Sequence, residues 1–94
     1  MPEMTFEVRW PDGSTQRCYS PSLVMHDYLS AGTQYTVGDF VDRSTRALGE
    51  ASERVRAKFG FACTSAADTA ERITVAAARF PQQALVQVTQ MEQP

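Results

Sequence analysis

The stretch from Thr36 to Gly60 constrains this chain more than any other. Phe40, Val41, Ser44, Leu48, Ala51, Val55 and Phe59 recur at spacings of three and four, which puts them on one face of a helix. Thr36 and Asp39 stand three apart, as in a capping box with Asp in place of Glu, and mark its start. Lys58 in the last turn suits the helix dipole, and Gly60 is a natural left-handed cap. Away from the apolar face, Asp39/Arg43, Asp42/Arg46 and Glu50/Arg54 set acid before base at i,i+4, each worth a few tenths of a kcal/mol. Gly38 and Gly49 each weaken the helix by about 1 kcal/mol relative to Ala. Gly49, beside the apolar boundary, is expected to admit the close approach of another element.

The start of the chain reads as a hairpin. From Thr5 to Trp10 the residues alternate, with Met4, Phe6, Val8 and Trp10 on one side and Thr5, Glu7 and Arg9 on the other. That period marks a strand packed on one face and wet on the other. Pro11-Asp12-Gly13 is a turn: proline fixes φ, Asp favours a local turn and Gly accepts positive φ. Gln16 to Tyr19 returns as the second strand, and Pro21, with no N–H to give, closes it. Ser22 to Leu29 is open between a short helical turn and an extended connection, and Ala31-Gly32 ends it.

Phe61-Ala62-Cys63 reads as a short connection into a second helix. Ser65 and Asp68 offer a capping signal there. Ala66, Ala70, Ile73, Ala77 and Phe80 form a narrow apolar stripe, and Pro81 stops the helix. Val75 lies on the charged side with Asp68, Arg72 and Arg79, a hint of a contact surface. Ala84 to Met91 reads as a last strand. The expected fold is α+β in the order β-β-α-α-β, a three-stranded antiparallel sheet with two helices packed on one face. The last strand is expected beside the first. The chain reads as a single domain over residues 1–94, with loose ends at 1–3 and 92–94.

Composition narrows the partners. A net charge of −2 lacks the basic footprint of a nucleic-acid binder. No apolar run is long enough to span a membrane, and no basic start leads into an apolar stretch as in a secretion signal. Two cysteines, Cys18 and Cys63, without such a signal read as reduced thiols in the cytoplasm.

Chemistry-bearing residues concentrate between Cys18 and Tyr28. Cys18 with His26 has the composition of a thiol nucleophile and its base, but no glycine-rich oxyanion loop accompanies them. Cys18, His26 and Cys63 lack the spacing of a metal site, so neither metal nor other cofactor is expected. A Cys18–Cys63 disulfide is geometrically open. Asp39, Asp42, Glu50 and Glu53 each have a basic neighbour and read as a solvated helix face. What stands out is Cys18, Tyr19, Ser20, Ser22, His26, Asp27 and Tyr28: hydroxyl, imidazole and carboxylate groups beside an edge strand, a candidate ligand or partner surface.

At Val8-Arg9-Trp10-Pro11-Asp12-Gly13, Cys18-Tyr19-Ser20-Pro21-Ser22 and Asp27-Tyr28-Leu29, the chain resembles a family of small bacterial nitrogen starvation response proteins. Ser52 to Cys63 fits the same family. The resemblance implies an accessory component encoded beside a nitrilase, a radical-SAM protein, an acetyltransferase and a flavin-dependent oxidoreductase, in a cluster that assimilates nitriles or cyanide. It carries no catalytic residues to transfer. The expectation is a non-enzymatic accessory protein acting by protein–protein contact with enzymes of that cluster. The alternative is a small ligand-binding or thiol-dependent enzyme subunit using the Cys18–Tyr28 region. Homodimerisation through the sheet edge or the Val75 side is a third expectation.

Overall fold

A computed structural model describes residues 3–60 and 64–92. The opening alternation becomes alternating burial: in strand β1 (Met4–Arg9), Met4, Phe6 and Val8 are buried while the residues between them reach the outer face. Trp10 follows on the buried side. Gly13 N donates to Trp10 O at 2.9 Å and Trp10 N to Ser14 O at 2.8 Å, with Gly13 at φ 86°. This is a three-residue hairpin loop whose left-handed residue must be glycine. The Asp12 carboxylate accepts from both the hydroxyl and the backbone N–H of Ser14, which lowers its pKa. Strand β2 (Thr15–Ser20) then pairs antiparallel with β1.

A five-residue 3-10 turn, Leu23–Asp27, follows the hairpin and buries Val24 and Met25. It resolves the open choice at Ser22 to Leu29 in favour of the helical turn. Next comes a strand that the sequence did not announce, β3 (Gln34–Thr36), antiparallel to the last strand, β4 (Leu85–Glu92). The sheet therefore has four strands, not three, in the order β2-β1-β4-β3. The expected pairing of the last strand with the first is present. Strand β4 extends through Glu92, into the end expected to be loose.

Helix α1 (Val37–Phe59) starts and stops where its caps require. Thr36 Oγ1 accepts from Asp39 N at 3.2 Å, and Gly60, at φ 79°, donates its N–H to Arg56 O. Val37 N and Gly38 N donate to Ala84 O and Gln82 O. Three of the N–H groups that a helix start leaves without internal partners are thus satisfied. The three predicted acid–base pairs all form, at 2.8, 3.8 and 3.2 Å.

Two expectations about α1 fail. Phe59 is half exposed rather than in the core. A helix of 23 residues spans about 35 Å, more than the roughly 27 Å of the longest strand, so its last turn outruns the layer it covers. Among the described residues, no other element comes within contact of Gly49, where a Cβ would meet nothing within 4 Å.

Helix α2 (Thr64–Ala77) buries Ala66, Thr69, Ile73 and Ala77. It begins at Thr64, so the expected capping pair Ser65 and Asp68 falls within its first turns. The expected connection Phe61-Ala62-Cys63, and with it any Cys18–Cys63 pairing, lies outside the described residues. Both helices pack on the face that carries Phe6, Val8, Trp10, Val86 and Val88. Trp10 sits at the centre of that layer, edge-on to Phe40 at 5.6 Å and stacked on Phe80 at 5.7 Å. Its indole N–H donates to Gln16 Oε1 at 2.9 Å. No described helix is long and apolar enough to cross a membrane.

Candidate functional site

Strand alternation divides the candidate cluster at its first step. Cys18 and Ser20 face inward on β2 and are buried, whereas Tyr19 lies on the outer face of the sheet. The Tyr19 hydroxyl donates to Glu3 Oε2 at 2.8 Å. Cys18 is a free thiol at the base of a small recess between β2 and α2, bordered by Ser65, Asp68, Thr69 and Arg72. Burial pushes the thiol pKa up to about 12, and the opposing pull of Arg72 is too weak to offset it. A nucleophilic cysteine needs the thiolate at neutral pH, so this environment works against that role.

Ser20 and Ser22 are occupied in building the turn. Ser20 Oγ donates to Ser22 O at 2.8 Å and accepts from Ser22 N at 3.2 Å, while Ser22 Oγ accepts from Val24 N at the start of the 3-10 turn. Both are buried, so neither can present its hydroxyl at a surface. Such local side-chain-to-backbone bonds are what a Ser-Pro-Ser turn is suited to make.

His26 and Asp27 are exposed on the 3-10 turn, and Tyr28 is half buried just after it. This turn packs on α1, whereas β2 packs under α2. The seven residues are therefore dispersed over the core, the outer sheet face and the α1 side.

A polar junction around Tyr28 was not visible in sequence. The Tyr28 hydroxyl donates to Glu50 Oε2 at 2.9 Å, and Glu50 also pairs with Arg54. Arg43 Nη1 donates to Tyr28 O at 3.1 Å, its Nε pairs with Asp39 at 2.8 Å, and its guanidinium lies 5.1 Å from the Tyr35 ring centroid. The Tyr35 hydroxyl accepts from Ser30 N at 3.0 Å. Hydrogen bonding to Glu50 raises the Tyr28 pKa, and the bond to Asp39 raises that of Arg43. The helix spacing exposed the Asp39/Arg43 and Glu50/Arg54 pairs, but nothing in the local pattern linked them to Tyr28 or Tyr35.

The outer face of the sheet is the other broad polar surface. Thr5, Glu7 and Arg9 of β1 lie beside Arg17 and Tyr19 of β2, with Glu92, Gln90 and Gln87 of β4 on the other side. Arg17 pairs with Glu92 at 3.3 Å and donates to Thr5 Oγ1. A bulge interrupts the β1–β4 ladder, where Val8 faces Val88 but Glu7 faces Gln90. The extra residue, Thr89, donates its hydroxyl to Glu7 O and Glu7 Oε1. Among the described residues, neither helix covers this face, and no three or more His, Cys, Asp or Glu residues are grouped to hold a metal ion.

Comparison with curated proteins and with solved structures yields no match. The family described as nitrogen starvation-induced protein NitG matches residues 5–91, from the first strand to the last, and the chain belongs to it.

Proposed function

We propose that this member of the family is a non-enzymatic accessory protein of the nitrogen-starvation response, working through contact with another protein. The observation that carries this reading is the uncovered face of the sheet. Both helices lie on the opposite face, leaving Arg9, Gln87 and the half-exposed Leu85 on a broad rigid platform. Two further observations support it. The candidate nucleophile Cys18 is buried as a neutral thiol, and the Ser20 and Ser22 hydroxyls bond within their own turn. By family resemblance, the partner is an enzyme of a nitrile- or cyanide-assimilation cluster: a nitrilase, a radical-SAM protein, an acetyltransferase or a flavin-dependent oxidoreductase.

The test is titration of the full chain into each of these enzymes, purified from one cluster. One of them binds, and Arg9→Glu or Leu85→Glu weakens that binding by roughly tenfold or more. Binding to none of the four, or binding indifferent to both substitutions, overturns the proposal.

A further inference from the structure

We propose that α2 is the interface of a symmetric dimer, in which the Val75 side chains of two copies meet on a two-fold axis between paired Glu71 and Arg79 side chains. This goes beyond the accessory role, because it uses the helix layer rather than the open sheet face.

Helix α2 buries one side in the core and leaves the other to solvent. On that outer side Val75 is 63% exposed, more than any other large apolar side chain described. Glu71 and Val75 stand four apart on the helix, and Arg79 follows in the turn just after its end. They border one shallow depression together with Gln16, Asp68 and Arg72. Asp68 and Arg72 pair within the chain at 3.1 Å. Among the described residues, Glu71 and Arg79 form no salt bridge, and the Arg79 guanidinium rests 5.9 Å from the Phe80 ring centroid.

The order acid, apolar, base identifies the occupant. A two-fold axis through Val75 reverses the order, so Glu71 of each copy meets Arg79 of the other. A second copy carries this complement by construction, as every isologous interface requires. With 14 residues, α2 is about 21 Å long, so the contact lies at the small end of stable interfaces and the dimer dissociates on dilution and in high salt.

The experiment is analytical ultracentrifugation of the full chain at about 0.5 mM and on dilution. The expected result is a reversible dimer. Glu71→Arg and Arg79→Glu each raise its dissociation constant roughly tenfold or more, by placing like charges opposite each other. Circular dichroism shows both variants folded. An equimolar mixture of the two forms a heterodimer, because both cross-axis contacts are then attractive. A monomer at about 0.5 mM, or a mixture no more associated than its components, overturns the proposal.

Discussion

Tyr28 donates its hydroxyl hydrogen to Glu50 Oε2 across 2.9 Å, tying the segment after the 3-10 turn to the middle of α1. Donation to a carboxylate favours the protonated phenol, so the Tyr28 pKa rises above its ordinary 10.0. The sign follows: the contribution of this contact to stability is complete below pH 10.0 and is lost as pH rises through the higher, folded pKa. Ultraviolet difference titration against Tyr28→Phe isolates this phenol. It is expected to titrate at lower pH in Glu50→Gln than in the wild type.

Cys18 should resist thiol reagents. In a Cys63→Ser background, labelling at neutral pH is expected to be far slower than for free cysteine, and to accelerate on addition of urea. Because folding raises the thiol pKa from 9.0 to about 12, the associated stability holds below pH 9.0 and drains away as pH climbs towards 12. Cys18→Ser puts a more polar hydroxyl at the same buried position and is expected to cost about 1 kcal/mol in urea unfolding.

Trp10 is the sole tryptophan, and its fluorescence reports on the contact between hairpin and helices. Phe40→Ala removes a fully buried ring against it and should cost about 3–5 kcal/mol. That approaches the entire stability of a small domain, so much of the population is expected to be unfolded. Gln16→Ala breaks only the indole hydrogen bond and should cost about 1 kcal/mol.

Two glycines should respond to alanine with opposite sign. Gly49 lies inside α1 facing open space, and Gly49→Ala is expected to add roughly 0.5–1 kcal/mol of stability. Gly60 holds φ at 79°, where a Cβ is strained, so Gly60→Ala should lower stability by about 1 kcal/mol. Thermal unfolding of the pair, with Tm moving up for one and down for the other, checks both.

Local signals carried most of the fold. The Met4-to-Trp10 alternation, the Pro11-Asp12-Gly13 turn and the Thr36 and Gly60 caps each express a rule that operates within a few residues. Strand β3 escaped because three residues show no period. It is held by distant partners, Gln34 opposite Gln87, Tyr35 opposite Val86 and Thr36 opposite Leu85, and the residues just before it, Gly32 and Thr33, also bond with Val88. The candidate surface was the least legible part. Nearness along Cys18–Tyr28 did not become nearness in space, because one strand step turns a side chain from core to solvent. The junction at Tyr28 depends on Arg43 and Glu50, which lie 15 and 22 residues away.

The sheet order also bears on how the chain comes into being. Strand β4 lies between β1 and β3, so the last of the described elements to be synthesised fills a central place in the sheet. Until translation has passed residue 92, β1 offers an unsatisfied edge and β3 has no strand to pair with. The hairpin and both helices can form as they emerge, but they cannot close into one layer. Folding to completion is therefore a single late step over long sequence separations, and it leaves the nascent chain most open to mispairing just before β4 arrives.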